Sequence, residues 1–164
     1  MMIGTKEILV GLNDSNSSRA ALRWATNEAR AAGLPLRAVH VVDWSIGIMA
    51  YGVPGKEGVI PEARVRPSYR RRIRRLFEEV DPETDWTLEF AQGEAGPILV
   101  RTARQASMLV IGGRTVDRPA NDESGLVGRY CLNHLPCALV VIGEGGGRNR
   151  REVESAMPVR AYSG

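Results

Sequence analysis

Residues 110 to 129 read VIGGRTVDRPANDESGLVGR, a short apolar run that opens into glycines, crosses a charged loop and closes on Ser-Gly-Leu-Val-Gly ahead of a helical stretch. A strand that feeds a glycine-containing loop and then a helix N-terminus presents backbone N–H groups and a positive dipole end to an anion. Phosphate binding is therefore the first chemistry to test. Ser124 stands where a helix N-cap belongs, and Arg114 or Arg129 could clamp a phosphate bidentately. Against this, Arg114, Arg118 and Arg129 are balanced by Asp117, Asp122 and Glu123, so the loop has no net attraction for a polyanion.

The other residues capable of chemistry are scattered. His40 lies inside an apolar run with no nucleophile or acid placed beside it, and reads as a packed core histidine. His134 sits near a helix C-terminus, where it suits the dipole. No two histidines have metal-ligand spacing, and no nucleophile elbow surrounds Ser124, so neither a metal centre nor a catalytic triad is expected. Cys131 and Cys137 match no redox or zinc spacing and read as reduced thiols. Seven arginines fall between Arg64 and Arg75. That face suits RNA, an acidic lipid surface or an acidic protein, but it lacks aromatic residues for stacking on bases, so a solvated helix face is the expectation and nucleic acid is not an expected partner.

The elements that must hold these residues can be read from the apolar pattern. Glu7 to Leu12 and Leu36 to Asp43 read as buried strands, as do the runs MLVIGG and Ala138 to Ile142, while Trp86 to Phe90 alternates like a strand with one face less buried. Between them, Leu22, Ala25, Ala29 and Ala32 stripe a first helix, capped by Ser15 or Ser17 and stopped by Gly33 and Pro35. Tyr69, Ile73, Leu76, Phe77 and Val80 stripe a second, and Asp14, Asp43 and Glu62 are placed to pair with its arginines. Ile98, Leu99, Thr102, Ala103 and Ala106 mark a third, and Val127, Tyr130, Cys131 and His134 a fourth. Trp44 to Pro61 has no periodicity and reads as a loop.

Five strands alternating with four helices predict a three-layer α/β domain around a doubly wound, five-stranded parallel sheet. Ligands of such sheets sit beyond the carboxyl ends of the strands, where strand order reverses. The expected site thus gathers Leu12 to Ser15, Val41 to Asp43 and the loop after Ile111.

A chain of 164 residues with 43% hydrophobic and 25% charged residues suits one soluble domain, expected over residues 1–143, with a tail at 144–164 that has no apolar stripe. The formal charge of +3 is small and almost all of the positive charge is arginine, so it counts only weakly toward a nucleic-acid partner. No run approaches the roughly 20 apolar residues of a membrane span, and MMIGTKEILVGLND has no basic leader, so a cytoplasmic protein is expected.

The segments ILVGLNDSNSSRAALRWATNEA, LRAVHVVD, GEAGPILVRTARQASMLVIGGR and LNHLPCALVVI together resemble the universal stress protein family. The resemblance implies an adenine-nucleotide-hydrolase-like α/β domain acting in stress response. It also implies a homodimer, which the apolar edge of the fifth strand, Ala138 to Ile142, is suited to join by pairing with its twin, and an adenine-nucleotide site that binds ATP in some members only. Those that bind it carry Gly, two residues, Gly, nine residues, then Gly with Ser or Thr. Here Gly112 matches the first glycine, Thr115 replaces the second, and Gly125 is followed by Leu126. Asn13 stands where many relatives have an aspartate that helps hold the adenosine.

A branched Thr115 obstructs the approach of a phosphate, and Leu126 offers it no hydroxyl. Losing two contacts of roughly 1.5 to 3 kcal/mol each weakens binding by about two to four powers of ten. The expectation is a degenerate site that does not hold ATP tightly but could admit AMP or another small anion, in a binding or signalling module without turnover. The competing readings are an ATP switch using the altered loop 112–129, at most a weak hydrolase, and an RNA- or protein-binding module using the arginine-rich second helix.

Overall fold

A computed structural model describes residues 6–42, 57–80, 86–113 and 123–143, with the side chains of 123–126 left aside. β1 (Glu7–Gly11) buries its centre completely. Ile8 and Val10 join one apolar cluster and Leu9 the other, as period-two alternation requires of a strand covered on both faces. α1 (Asn16–Ala32) follows, starting at Ser15, whose side chain accepts the Ser18 N–H. It ends at Gly33 in the left-handed region (φ 64), where glycine carries no steric penalty and its N–H closes back on Arg30. Ala32, expected on the buried stripe, is exposed, because the inward face of α1 runs out at Ala29.

β2 (Leu36–Val42) pairs with β1 in parallel, and β4 (Thr87–Gln92) pairs with β2 on its other side. β5 (Ala106–Gly112) pairs with β1, and β6 (Ala138–Ile142) with β5. α2 (Pro67–Val80) packs against α1. Their shared cluster includes Leu22, Ala25, Ile73, Leu76 and Phe77 under Ile8, Val10 and Leu36. α3 (Ala95–Thr102) and α4 (Glu123–His134) cover the opposite face, with Ile98, Leu99 and Cys131 over Leu9, Val39 and Leu109. The three-layer doubly wound fold is as expected.

The sheet has six strands, which corrects the five-stranded, all-parallel expectation. β3 (Gly58–Ile60) pairs antiparallel with β4 at the edge, giving the order β3-β4-β2-β1-β5-β6. It lies inside the stretch read as a loop. Three residues are too few for a period-two pattern to show, and Val59 is 65% exposed, so the strand exists through its pairing rather than through a buried face. The third helix is also shorter than its stripe. It is α-helical only to Thr102 and tightens into a 3-10 turn at Ala103–Gln105. No helix among the described residues is long and apolar enough to cross a membrane.

Candidate functional site at the strand-order switch

β1 lies between β2, which follows it, and β5, reached by crossing to the other side. The switch point is therefore the gap between the carboxyl ends of β1 and β5. On the β1 side, the Leu12 N–H donates to the Val39 carbonyl at 2.8 Å. The Asn13 N–H then donates to Ser18 Oγ at 2.8 Å, Asn13 Oδ1 accepts the Ser15 N–H at 3.0 Å, and Ser15 Oγ accepts the Ser18 N–H at 3.1 Å. Ser15 and Ser17 hydroxyls lie 3.1 Å apart. This is an Asx turn closed onto a helix N-cap, and it uses inside the loop donors that a phosphate would otherwise meet. Of the two capping serines offered by the sequence, Ser15 is the cap. The part played by Ser18 was not foreseen; the only signal for it is the density of hydroxyls in NDSNSS.

On the β5 side, Gly112 faces that same turn. A Cβ built on Gly112 would lie 2.5 Å from Ser17 C and Ser18 N, nearer than any side chain can approach a backbone. The glycine that opens the nucleotide motif thus serves strand-to-helix packing in this chain. The Gly113 N–H donates to the Ile142 carbonyl at 2.8 Å. Val41, half-buried on β2 opposite Ala91, packs into the α3 and α4 side of the sheet. Arg114 and Thr115 lie outside the described residues. Ser124, Gly125 and Leu126 fall in the first turn of α4, which starts at Glu123, so Ser124 is within the helix rather than its N-cap.

Behind the β1 turn sits His40, 2% exposed. Its Nδ1 pairs with the Leu12 carbonyl at 2.7 Å, which fixes the proton on Nδ1 and leaves Nε2 a buried acceptor without a hydrogen-bond partner among the described residues. The rings of Tyr69 and Phe90 flank it at 5.1 and 5.9 Å. Burial holds its pKa below 6.5, against the opposing pull of the Leu12 carbonyl and Asp14, so the ring is neutral at pH 7. It is a core histidine that braces the loop.

Among the described residues, the carboxylates at the mouth are paired. Asp14 accepts from Arg72 at 2.9 Å, and Glu62 accepts from Arg74 at 2.7 and 2.5 Å, which lowers the Glu62 pKa. Asp43 lies outside the described residues. Distant from the mouth, His134 Nδ1 meets the Tyr130 carbonyl at 2.8 Å and its ring stacks on Tyr130 at 4.1 Å. Burial pushes the Cys131 thiol up to about 12 and also raises Cys137, so both stay protonated at neutral pH.

The model of the universal stress protein family matches residues 4–143. The universal stress protein Rv2623 of Mycobacterium tuberculosis is 28% identical over 143 residues, covering 82% of this chain and 46% of the relative. Rv2624c of the same organism is 23% identical over 137 residues, covering 84% and 48%. The chain spans about half the length of these relatives. Among solved structures, a universal stress protein in complex with cAMP superposes with a TM-score of 0.59 at 18% identity, over 85% of this chain and 97% of that one. The Archaeoglobus fulgidus universal stress protein in complex with dAMP gives 0.53 at 18% identity, over 84% and 97%. A Burkholderia pseudomallei member gives 0.54 at 24% identity, over 87% and 98%. At these identities the likeness establishes the fold.

Proposed function

Because the chain belongs to the universal stress protein family, we propose that it acts in stress response as a non-enzymatic binding or signalling module whose switch-point mouth takes an adenosine monophosphate at most and does not hold ATP tightly. The carrying observation is the self-closed turn from Asn13 to Ser18. Its N–H groups at Asn13, Ser15 and Ser18 are already engaged by side chains of the same turn, and Gly112 is pressed against Ser17 and Ser18. The changes at Thr115 and Leu126 act in the same direction. The ligands of two structural neighbours, cAMP and dAMP, are monophosphates, which supports adenylate as the ligand class.

The same reading makes the protein a cytoplasmic homodimer joined through β6. That strand is the sheet edge opposite β3, and Val141 on it is 36% exposed, an apolar edge of the kind that strand pairing covers.

Calorimetry of nucleotide-stripped protein with Mg-ATP, AMP and cAMP tests the ligand class, alongside mass spectrometry of nucleotide released from freshly purified protein. The expected result is no micromolar ATP binding, with any heat confined to the monophosphates. Micromolar affinity for Mg-ATP, or ATP copurifying in stoichiometric amount, overturns the reading.

A further inference from the structure

The arginines of α2 divide into two groups. Arg72 is held by Asp14 and lies 5.9 Å from the Tyr69 ring, and Arg74 is held by Glu62 and Glu78. Arg64, Arg66, Arg70, Arg71 and Arg75 have no carboxylate within ion-pair distance among the described residues. Arg64, Arg66, Arg71 and Arg75 are exposed, and Arg70 is half-buried.

Their placement works against the helix that carries them. No acidic residue stands in the first turn of α2. Its carboxylates, Glu78 and Glu79, come at the C-terminal end, where Arg74 and Arg19 neutralise them. A helix dipole prefers the reverse order. Arg70 with Arg74 and Arg71 with Arg75 are like-charged pairs at i,i+4, each costing a few tenths of a kcal/mol. Arg74 of the first pair is compensated by Glu62 and Glu78, whereas Arg71 and Arg75 have no carboxylate partner among the described residues, and a local rule broken in this way marks a surface shaped by something outside the chain.

The exposed positions of α2 are Pro67, Ser68, Arg71, Arg72, Arg75, Glu78 and Glu79, with no large apolar or aromatic side chain among them. Protein interfaces are anchored by aromatic residues and arginines in desolvated pockets, which this exposed face without apolar neighbours does not offer, and an amphipathic membrane-surface helix inserts apolar side chains. Single-stranded nucleic acid needs rings to stack on its bases. What remains is contact between bare guanidinium groups and a regular array of phosphates.

We propose that Arg70, Arg71 and Arg75 of α2, with Arg64 and Arg66 ahead of it, form a docking surface for the phosphate backbone of duplex DNA, bound without sequence preference. This goes beyond the adenylate reading and does not depend on it, since Arg64, Arg66, Arg70, Arg71 and Arg75 are not among the residues of the switch-point mouth.

The test is fluorescence anisotropy of a labelled mixed-sequence DNA duplex with the full chain between 50 and 200 mM salt. Neutralisation of five phosphates predicts a log–log salt slope of about −4.5, an affinity loss on the order of 500-fold over that range. The paired substitution Arg71→Glu with Arg75→Glu should abolish binding at 50 mM salt, while Arg71→Lys with Arg75→Lys retains most of it. Arg104→Glu, on an exposed arginine in the layer across the sheet, should leave it unchanged. Circular dichroism checks that each variant is folded. No duplex binding by the native chain at 50 mM salt, or equal loss in the Arg104→Glu variant, overturns the proposal. Binding only to anionic vesicles or to polyglutamate does so too.

Discussion

Gly112 and Ser17 approach so closely that the end of β5 and the first turn of α1 share the space a single methyl group would need. Gly112→Ala should therefore part β5 from α1. Relief requires backbone movement, since the obstructing atoms are Ser17 C and O and Ser18 N. Overpacking of this kind costs about 1 to 3 kcal/mol. Urea denaturation should show a lower midpoint with an unchanged slope. Gly128→Ala is the control, because among the described residues a Cβ there meets only Ile111 Cδ1 at 3.8 Å.

The cap of α1 supplies the second prediction. Ser15 Oγ accepts the Ser18 N–H, and the Ser18 hydroxyl in turn accepts the Asn13 N–H. Ser15→Ala should cost about 1 kcal/mol, the usual loss for an N-cap serine. Ser18→Ala, at a buried position, leaves the Asn13 N–H without its partner and should cost about 1 to 3 kcal/mol. Thermal unfolding of the two variants measures both. Equal stability of Ser18→Ala and the native chain would show that water replaces the hydroxyl at no loss.

Acid should weaken the fold through His40. Its folded pKa lies below the ordinary 6.5, because burial disfavours the cation. Below pH 6.5 the unfolded chain binds a proton there that the folded chain does not, so stability falls as pH falls, by up to about 1.4 kcal/mol per unit, until the folded pKa is reached. The Glu62 contribution has a separate window. Its folded pKa is lowered by Arg74 from 4.5, so that stability is present above 4.5 and is lost only as pH falls further. Comparing urea midpoints at pH 7.5 and 5.5 isolates His40. The native chain should lose more stability over that range than a His40→Phe variant.

The strands that build the mouth were legible because each buries a continuous apolar run. Leu9, Val39 and Leu109 serve one face while Val10, Ala38 and Val110 serve the other, so composition alone marks them. β3 was not legible, since Gly58–Ile60 pairs through its backbone and leaves Val59 in water. At the mouth, residue types located Asn13 and Gly112 but gave them different work. Asn13 Oδ1 is engaged by the Ser15 N–H, and the space beside Gly112 is taken by helix backbone. A motif records which residues stand in a row. It does not record that a serine five positions on folds back to close the turn. The unpaired state of Arg71 and Arg75 was equally hidden, since it depends on where Asp14 and Glu62 come to lie.

Val141 gives the fourth prediction. It is exposed on the edge strand β6, so Val141→Lys places a charge where a second copy would pair. Light scattering after size exclusion should give a dimer for the native chain and a monomer for the variant. Val59→Lys, on the opposite edge, should leave the dimer intact.

If the altered motif is what denies ATP a seat, restoring it should recover binding. Thr115→Gly removes a branched side chain from the position where relatives bring backbone against phosphate, and Leu126→Ser returns the hydroxyl that follows Gly125. Two recovered contacts of roughly 1.5 to 3 kcal/mol each correspond to a gain of about two to four powers of ten in affinity for Mg-ATP. Calorimetry on the double variant and on each single variant separates the two effects. No gain in the double variant would place the barrier in the closed turn from Asn13 to Ser18, whose internal hydrogen bonds the substitutions leave in place. Ser18→Ala added to the double variant would then open it, by freeing the Asn13 N–H for the ligand.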